Sequence, residues 1–289
     1  MTARVLTAKT VDLVALVKPN IMIMALLTAA GAMSLAPGTM PASRALIMLL
    51  GTALIVGAAN TLNMWLERDT DCLMSRTKNR PLPQHRLTAM TALWFGAIQG
   101  ALALPVLAMS GIVPAALGLV ALLLYVGAYT PMKQKTHHAT WIGAVPGAMP
   151  ALIGWTAATG RIDVGGLAVF GVLFFWQIPH THAIAIYRQR DYDAAGMKTL
   201  PSTHGLVATR RAIRLYLVVQ VAVSLLPFVL GVAGLPYLIT AIIAGAMVLV
   251  QGFGRVTDIG SARWARTLFL TSIVYLPVLF AVMVASGQA

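Results

Sequence analysis

The chain of 289 residues is 58% hydrophobic and only 10% charged, whereas an ordinary water-soluble domain is about a quarter charged. That composition argues against a water-soluble fold, and the chain carries several runs of 18 or more residues nearly free of charge, the length an α-helix needs to cross ~30 Å of hydrocarbon. The net charge of +13 raises nucleic acid as a partner, because Lys and Arg neutralise phosphates, but the placement of the basic residues between the apolar runs argues for no nucleic acid.

Nine apolar segments follow one another at roughly 14–36, 44–66, 89–109, 111–130, 139–159, 164–186, 212–231, 234–253 and 267–287. The expected fold is therefore all-α: one polytopic transmembrane domain over 1–289, with nine helices crossing the lipid bilayer. With the N-terminus cytoplasmic, the alternating loops place 19 of the 21 Lys and Arg on the cytoplasmic side, including Arg4, Lys18 and Arg255, and leave Arg44 and Arg161 outside. That asymmetry is the positive-inside signal. No short apolar run with a small-residue cleavage site precedes the first segment, so no removable signal peptide is expected. The single cysteine, Cys72, has no second thiol for a disulfide or a Cys-x-x-Cys site.

The second segment ends in Asn63-Met-Trp-Leu-Glu67-Arg-Asp69-Thr-Asp71. Steps of four residues keep Asn63, Glu67 and Asp71 near one helix face, with Asp69 pointing away. An amide and two carboxylates suit a hard cation such as Mg²⁺, which takes one or two carboxylates and fills its remaining positions with water and substrate phosphate. The next residues include Arg76, Lys78 and Arg80, and arginine forks with a lysine charge suit a diphosphate. The alternative reading is a solvated, topological basic loop.

The fourth segment ends at Tyr129, whose ring face can stabilise a carbocation, and Lys133 follows as a further diphosphate candidate. His137 and His138 read as solvated loop residues. His180 and His182 lie in the sixth segment, two apart and therefore on different faces; each suits either a structural hydrogen bond or a substrate contact. That segment runs into Tyr187-Arg188-Gln189-Arg190-Asp191-Tyr192-Asp193, followed by Lys198. If one helix persists, Tyr187 and Asp191 share a face. Asp191 is the second candidate carboxylate, and Arg188 and Lys198 repeat the basic theme. The second and sixth segments thus both end in acidic and basic cytoplasmic loops, which hints at an internal repeat and at one diphosphate gripped from both sides.

Taken together, these residues resemble the heme-farnesylating branch of the UbiA-type intramembrane prenyltransferases. The resemblance rests on Asn63 to Leu82, Tyr129-Thr-Pro-x-Lys133-x-x-Thr136, Pro150-x-Leu-Ile-Gly-Trp155, Trp176-Gln-Ile-Pro-His180, and Arg190-Asp191-Tyr192 through Leu200-Pro201. It covers nearly the whole chain. It implies a nine-helix bundle in a bacterial cytoplasmic (inner) membrane, Mg²⁺, farnesyl diphosphate and heme B as substrates, and heme O as product for heme A synthase or terminal oxidase assembly. By position it assigns Asn63, Glu67 and Asp71 to the first metal and diphosphate motif and Asp191 to the second; His180 and His182 are the candidate heme contacts. Two departures stand out. Glu67 occupies a position where aspartate is common, and Asp191 is followed four residues on by Ala195 rather than by a second aspartate, which leaves the ligands of a second metal open.

Three other readings fit parts of the pattern: prenylation of a quinone precursor or chlorin, a transporter, and a heme-binding assembly factor without catalysis. A transporter calls for polar residues at mid-membrane depth, whereas here acids and bases gather at one face.

Overall fold

The structure, a computed structural model, describes residues 3–254 and 261–287, with residues 3–8 as backbone only. Arg255 lies outside the described residues, as does the side chain of Arg4. The described elements are helices: α1 (Ala3–Leu16), α2 (Pro19–Leu35), α3 (Ala42–Asp71), α4 (Ala89–Ser110), α5 (Ile112–Met132), α6 (Ala139–Thr159), α7 (Val164–Tyr187), the short α8 (Gln189–Ala194), α9 (Leu200–Val229), α10 (Leu235–Phe253) and α11 (Ser261–Ala285). An isolated bridge from Ala233 to Gly287 is the one extended pairing among them.

Seven of these helices are long and apolar enough to cross a membrane. An eighth crossing is available if α1 and α2 act as one span, bent by 48° at Val17-Lys18. The remaining predicted segment, the fifth in chain order, is α6; it has the length, 21 residues, but stands outside that apolar set. Its Gly, Pro and Thr content lowers its hydropathy, and it is the helix most enclosed by others, with 13 buried residues. A helix wrapped by protein meets little lipid, so its surface can be small rather than greasy.

The approach of α2 to α6 depends on Gly154, where an added Cβ would collide with the Ala29 carbonyl. Backbone meets backbone there, and no flexible side chain can give way. Gly154→Leu is expected to destabilise the bundle by more than the ~1–3 kcal/mol typical of overpacking. It should be read as a large fall in melting temperature and in monodisperse yield from detergent; a variant that melts like wild type would contradict this packing.

The predicted seventh segment begins too late. In the structure the helix starts at Leu200, kinks at Gly205 (φ 79°, ψ 173°) and breaks at Leu225. In the polar stretch 187–211 Arg and Thr residues mask the helix start, yet Thr199 caps it with a full capping box to Ser202. At the far break the Ser224 carbonyl is taken by the buried Tyr237 hydroxyl at 2.6 Å, a transfer of the kind that makes kinks tolerable inside membranes.

Three features position the polar end of the bundle. Helix α3, with 30 residues, is ~45 Å long, so its last turns project beyond a ~30 Å hydrocarbon layer. The loop after it folds back, held by Arg86 Nε donating to Asp12 Oδ1 at 2.9 Å and by Thr77 Oγ1 donating to the Asp71 carbonyl at 2.8 Å. Residues around Met74 then pack on Ala195, Met197 and Tyr192, so the loops after α3 and α7 form one layer.

Candidate active site

Because α3 stays helical to Asp71, the i, i+4, i+8 spacing puts Asn63, Glu67 and Asp71 on a buried face, 1%, 7% and 0% exposed respectively. Asp69 points outward and pairs loosely with Arg68 at 3.6 Å, as the spacing predicts. Each member of the face has a cationic or polar partner from another element. Asn63 Oδ1 accepts from Lys18 Nζ at 2.7 Å while its amide donates to Thr130 Oγ1 at 3.1 Å. Glu67 Oε1 meets Lys133 Nζ at 2.6 Å, and Asp71 Oδ2 meets Arg80 Nη1 at 2.7 Å. Buried charges survive only when paired. Removing either cation would leave a carboxylate stranded.

Lys18 is a site residue that sequence reasoning counted only as a topological charge. It sits at the bend between α1 and α2 with φ 51°, a left-handed backbone that costs a β-carbon residue energy and persists where the surroundings enforce it. The enforcing contacts are its bond to Asn63 and the Asn60 amide donating to the Val17 carbonyl at 3.0 Å. A lysine beside a proline within an apolar run was the available signal.

On the opposite wall, α5 changes to a π-helical turn over Leu124–Tyr129. The wider turn brings Tyr125 and Tyr129 to 5.2 Å between ring centroids, and Lys133 Nζ lies 4.6 Å from the centre of the Tyr129 ring. Tyr129 fits against α6 because Gly143 leaves room for its ring. Burial works against the Lys133 charge, but Tyr129 and Glu67 hold its ammonium above the usual lysine range. An apolar cavity of about 100 Å³ borders Tyr125 and Asn60 and runs among Ile21, Ile55, Leu122 and Ile153.

Asp191 meets the loop that follows α3. Ser75 Oγ donates to Asp191 Oδ1 at 2.7 Å across 116 residues of sequence, and Arg188 Nη1 approaches Asp191 Oδ2 at 3.5 Å. The Ser75 hydroxyl leads in holding the Asp191 carboxyl below its ordinary range, with Arg188 adding to it. The helix does not persist through Arg188 (φ −108°, ψ 20°), so Tyr187 ends α7 while Asp191 belongs to α8. Their shared face is therefore corrected. Arg188 instead covers the Tyr187 ring at 4.8 Å.

Of the basic run, Arg80 joins the site, while Arg76 and Lys78 are exposed on the loop, Arg76 near Tyr192. The Lys198 amide donates to the Lys133 carbonyl at 3.0 Å, docking the loop before α9 onto the end of α5. The two histidines of α7 diverge as their spacing implies. His180 Nδ1 is 2.6 Å from Ser272 Oγ and stacks on Trp176 at 4.5 Å, whereas His182 lines a polar cavity with Tyr129 and Lys133. His137 and His138 are in ring contact at 4.1 Å; burial, then His138 and His204, push the His137 imidazole below its usual range.

The donor set fits a hard divalent cation. Asp71 Oδ1 is buried and has no hydrogen-bond partner, an orphaned carboxylate oxygen that calls for one. Among the described residues Glu67, Asp71 and Asp191 do not come together as one three-acid group that could hold a metal.

A helical bundle with an acidic face on its third helix, crossed by Lys18, Arg80 and Lys133 and opening on an apolar cavity, matches known proteins at several levels. Solved structures with the same fold include one described as digeranylgeranylglyceryl phosphate synthase (TM-score 0.81, 15% identity, 96% of this chain and 98% of that one). Another is a UbiA homolog from Archaeoglobus fulgidus bound to DMAPP and Mg²⁺ (TM-score 0.69, 16% identity, 94% and 99%). In sequence, the protoheme IX farnesyltransferase of Myxococcus xanthus is 48% identical, covering 98% of this chain and 97% of its own. That of Anaeromyxobacter dehalogenans is 46% identical, covering 95% and 93%. The model of the UbiA prenyltransferase family matches residues 25–273, a stretch that holds both acidic motifs, the π-turn and all of the named apolar-cavity lining but Ile21, and the chain belongs to that family.

Proposed function

We propose that this protein transfers the farnesyl group of farnesyl diphosphate to a vinyl group of heme B, giving heme O, in a reaction that depends on Mg²⁺. The observation that carries the reading is the buried face Asn63, Glu67, Asp71, matched by cations and set beside an apolar cavity. Its relatives' printed name supplies the acceptor and the isoprenoid. In this reading the bundle crosses the bacterial cytoplasmic membrane nine times, counting α6 and the bent pair α1–α2 as spans, with the N-terminus cytoplasmic. The acidic face then lies at the inner surface, where water-soluble diphosphate is available, and the product is consumed by heme A synthase or terminal oxidase assembly.

Asn63, Glu67 and Asp71 would hold Mg²⁺, with Asp191 facing the same layer from α8. Bound there, the ion supplies Lewis-acid neutralisation of the diphosphate. The chain's own part is electrostatic and steric. Arg80, Lys133 and Lys18 hold the diphosphate oxygens as the farnesyl C1–O bond breaks and its electron pair leaves with the diphosphate. The Tyr129 and Tyr125 ring faces stabilise the allylic cation, and the apolar cavity keeps water from it. The vinyl π-electrons form the new bond to C1. Water then captures the resulting cation beside the macrocycle and releases a proton, giving the hydroxyethylfarnesyl side chain.

Expression in a host lacking heme O, followed by mass analysis of extracted heme, tests the reading. Heme O is expected, and adding excess chelator to membranes should stop its formation, with Mg²⁺ restoring it. A prenylated quinone or chlorin without heme O would overturn the acceptor, and turnover that survives chelation would overturn the metal.

A further inference from the structure

Beside the acidic face lies a second, polar cavity of about 70 Å³. Tyr129 and Lys133 form the wall it shares with that face, and His137, His182, Lys198 and Thr199 form its other sides. No Asp or Glu is among the described residues that line it. Lys133 is already neutralised by Glu67, but the Lys198 ammonium pairs with no acid among the described residues.

Two helices also begin at this cavity, α6 at Ala139 and α9 at Leu200, and both residues line it. Aligned peptide dipoles give each helix start a positive potential equivalent to roughly half an elementary charge. Their first amides are engaged by Thr136, by His137 and by the Thr199–Ser202 box, so the helices supply field and the side chains supply donors. The His137 ring is held between His138 at 4.1 Å and His204 at 4.6 Å. A recess with two helix starts, an unpaired lysine, two imidazoles and no acid selects an anion.

What kind of anion follows from the neighbourhood. Behind His182, which lines the cavity, stands an aromatic cluster contributed by three helices: Tyr216 at 6.5 Å from His182, Trp141 edge-on to Tyr216 at 4.8 Å, and Trp141 at 5.9 Å from Phe174. All three aromatics are half-buried. A recess of this size holds a carboxylate or two but no macrocycle, since whole drug-sized ligands need roughly 300 Å³ or more. A flat apolar body with acidic appendages suits both the recess and the aromatic cluster behind His182.

We propose that this recess anchors the propionates of the tetrapyrrole acceptor through His137 and Lys198, with part of the macrocycle against the Trp141–Phe174–Tyr216 wall. The inference rests on heme B as acceptor. A heme carries both propionates on one edge and its vinyl groups toward the opposite side, so propionates fixed here keep the vinyl edge out of the recess and the macrocycle beside Tyr129 and Lys133, the wall that the recess shares with the acidic face. His182 forms the inner wall, and His180, tied to Ser272, lies outside it.

The test uses the full-length protein in detergent and two iron-free probes, protoporphyrin IX and its dimethyl ester, so that iron ligation plays no part. The wild type is expected to bind the diacid roughly tenfold or more tightly than the ester, the scale of charge-assisted contacts. The double variant His137→Ala, Lys198→Ala should bind the diacid no better than the ester and leave ester affinity unchanged. Lys198→Glu, at an exposed position, should invert the preference. Equal binding of both probes by the wild type, or an undiminished preference in the double variant, overturns the anchor. If that happens while heme O is still made, only this inference fails. If no heme O is made and neither probe binds, the acceptor itself is wrong.

Discussion

Asp71→Asn is expected to lower heme O formation by about 10³-fold, the scale of losing a preorganised charge at the reacting group. The substitution keeps the volume of a side chain that is completely buried but removes the charge that Arg80 faces at 2.7 Å and the orphaned oxygen that suits a metal. Arg80 keeps 20% of its side chain exposed and can turn toward water, so the fold should survive with a modest fall in melting temperature. Asp69→Asn, at the 82% exposed neighbour, is the matched control and should retain near wild-type turnover. Equal losses in both variants would mean that the acidic stretch acts through bulk charge and not through one helix face.

The second large effect is expected from Lys133→Met. Methionine preserves the apolar stem and removes the ammonium that lies 2.6 Å from Glu67 and 4.6 Å over the Tyr129 ring. Turnover should fall by about 10²-fold or more. The Glu67→Gln, Lys133→Met double variant should be little worse than the poorer single one, because residues that act as a unit are not additive. Single-turnover heme O formation in membranes measures all three, and full additivity would separate Lys133 from the acidic face.

The legible parts of this molecule were those set by local periodicity. The α3 face could be read because an α-helix fixes which residues four apart align, and Asn63, Glu67 and Asp71 kept that alignment to the last turn. The same rule failed where a helix broke. Tyr187 and Asp191 are also four apart, yet the backbone at Arg188 leaves the helical region, and no residue there is a proline or glycine to announce it. The segment 139–159, by contrast, was legible and is helix α6, although its neighbours cover much of its surface.

By itself, then, the sequence determined the all-helical membrane architecture and the acidic face of α3, since apolar length and helical pitch are properties of short stretches. Tertiary structure alone decided which charges meet. Lys18 reaches Asn63, Lys133 reaches Glu67 and Ser75 reaches Asp191 over separations of 45, 66 and 116 residues. Such pairings depend on where whole helices stop, bend and pack, and a buried charge accepts whichever partner that packing delivers.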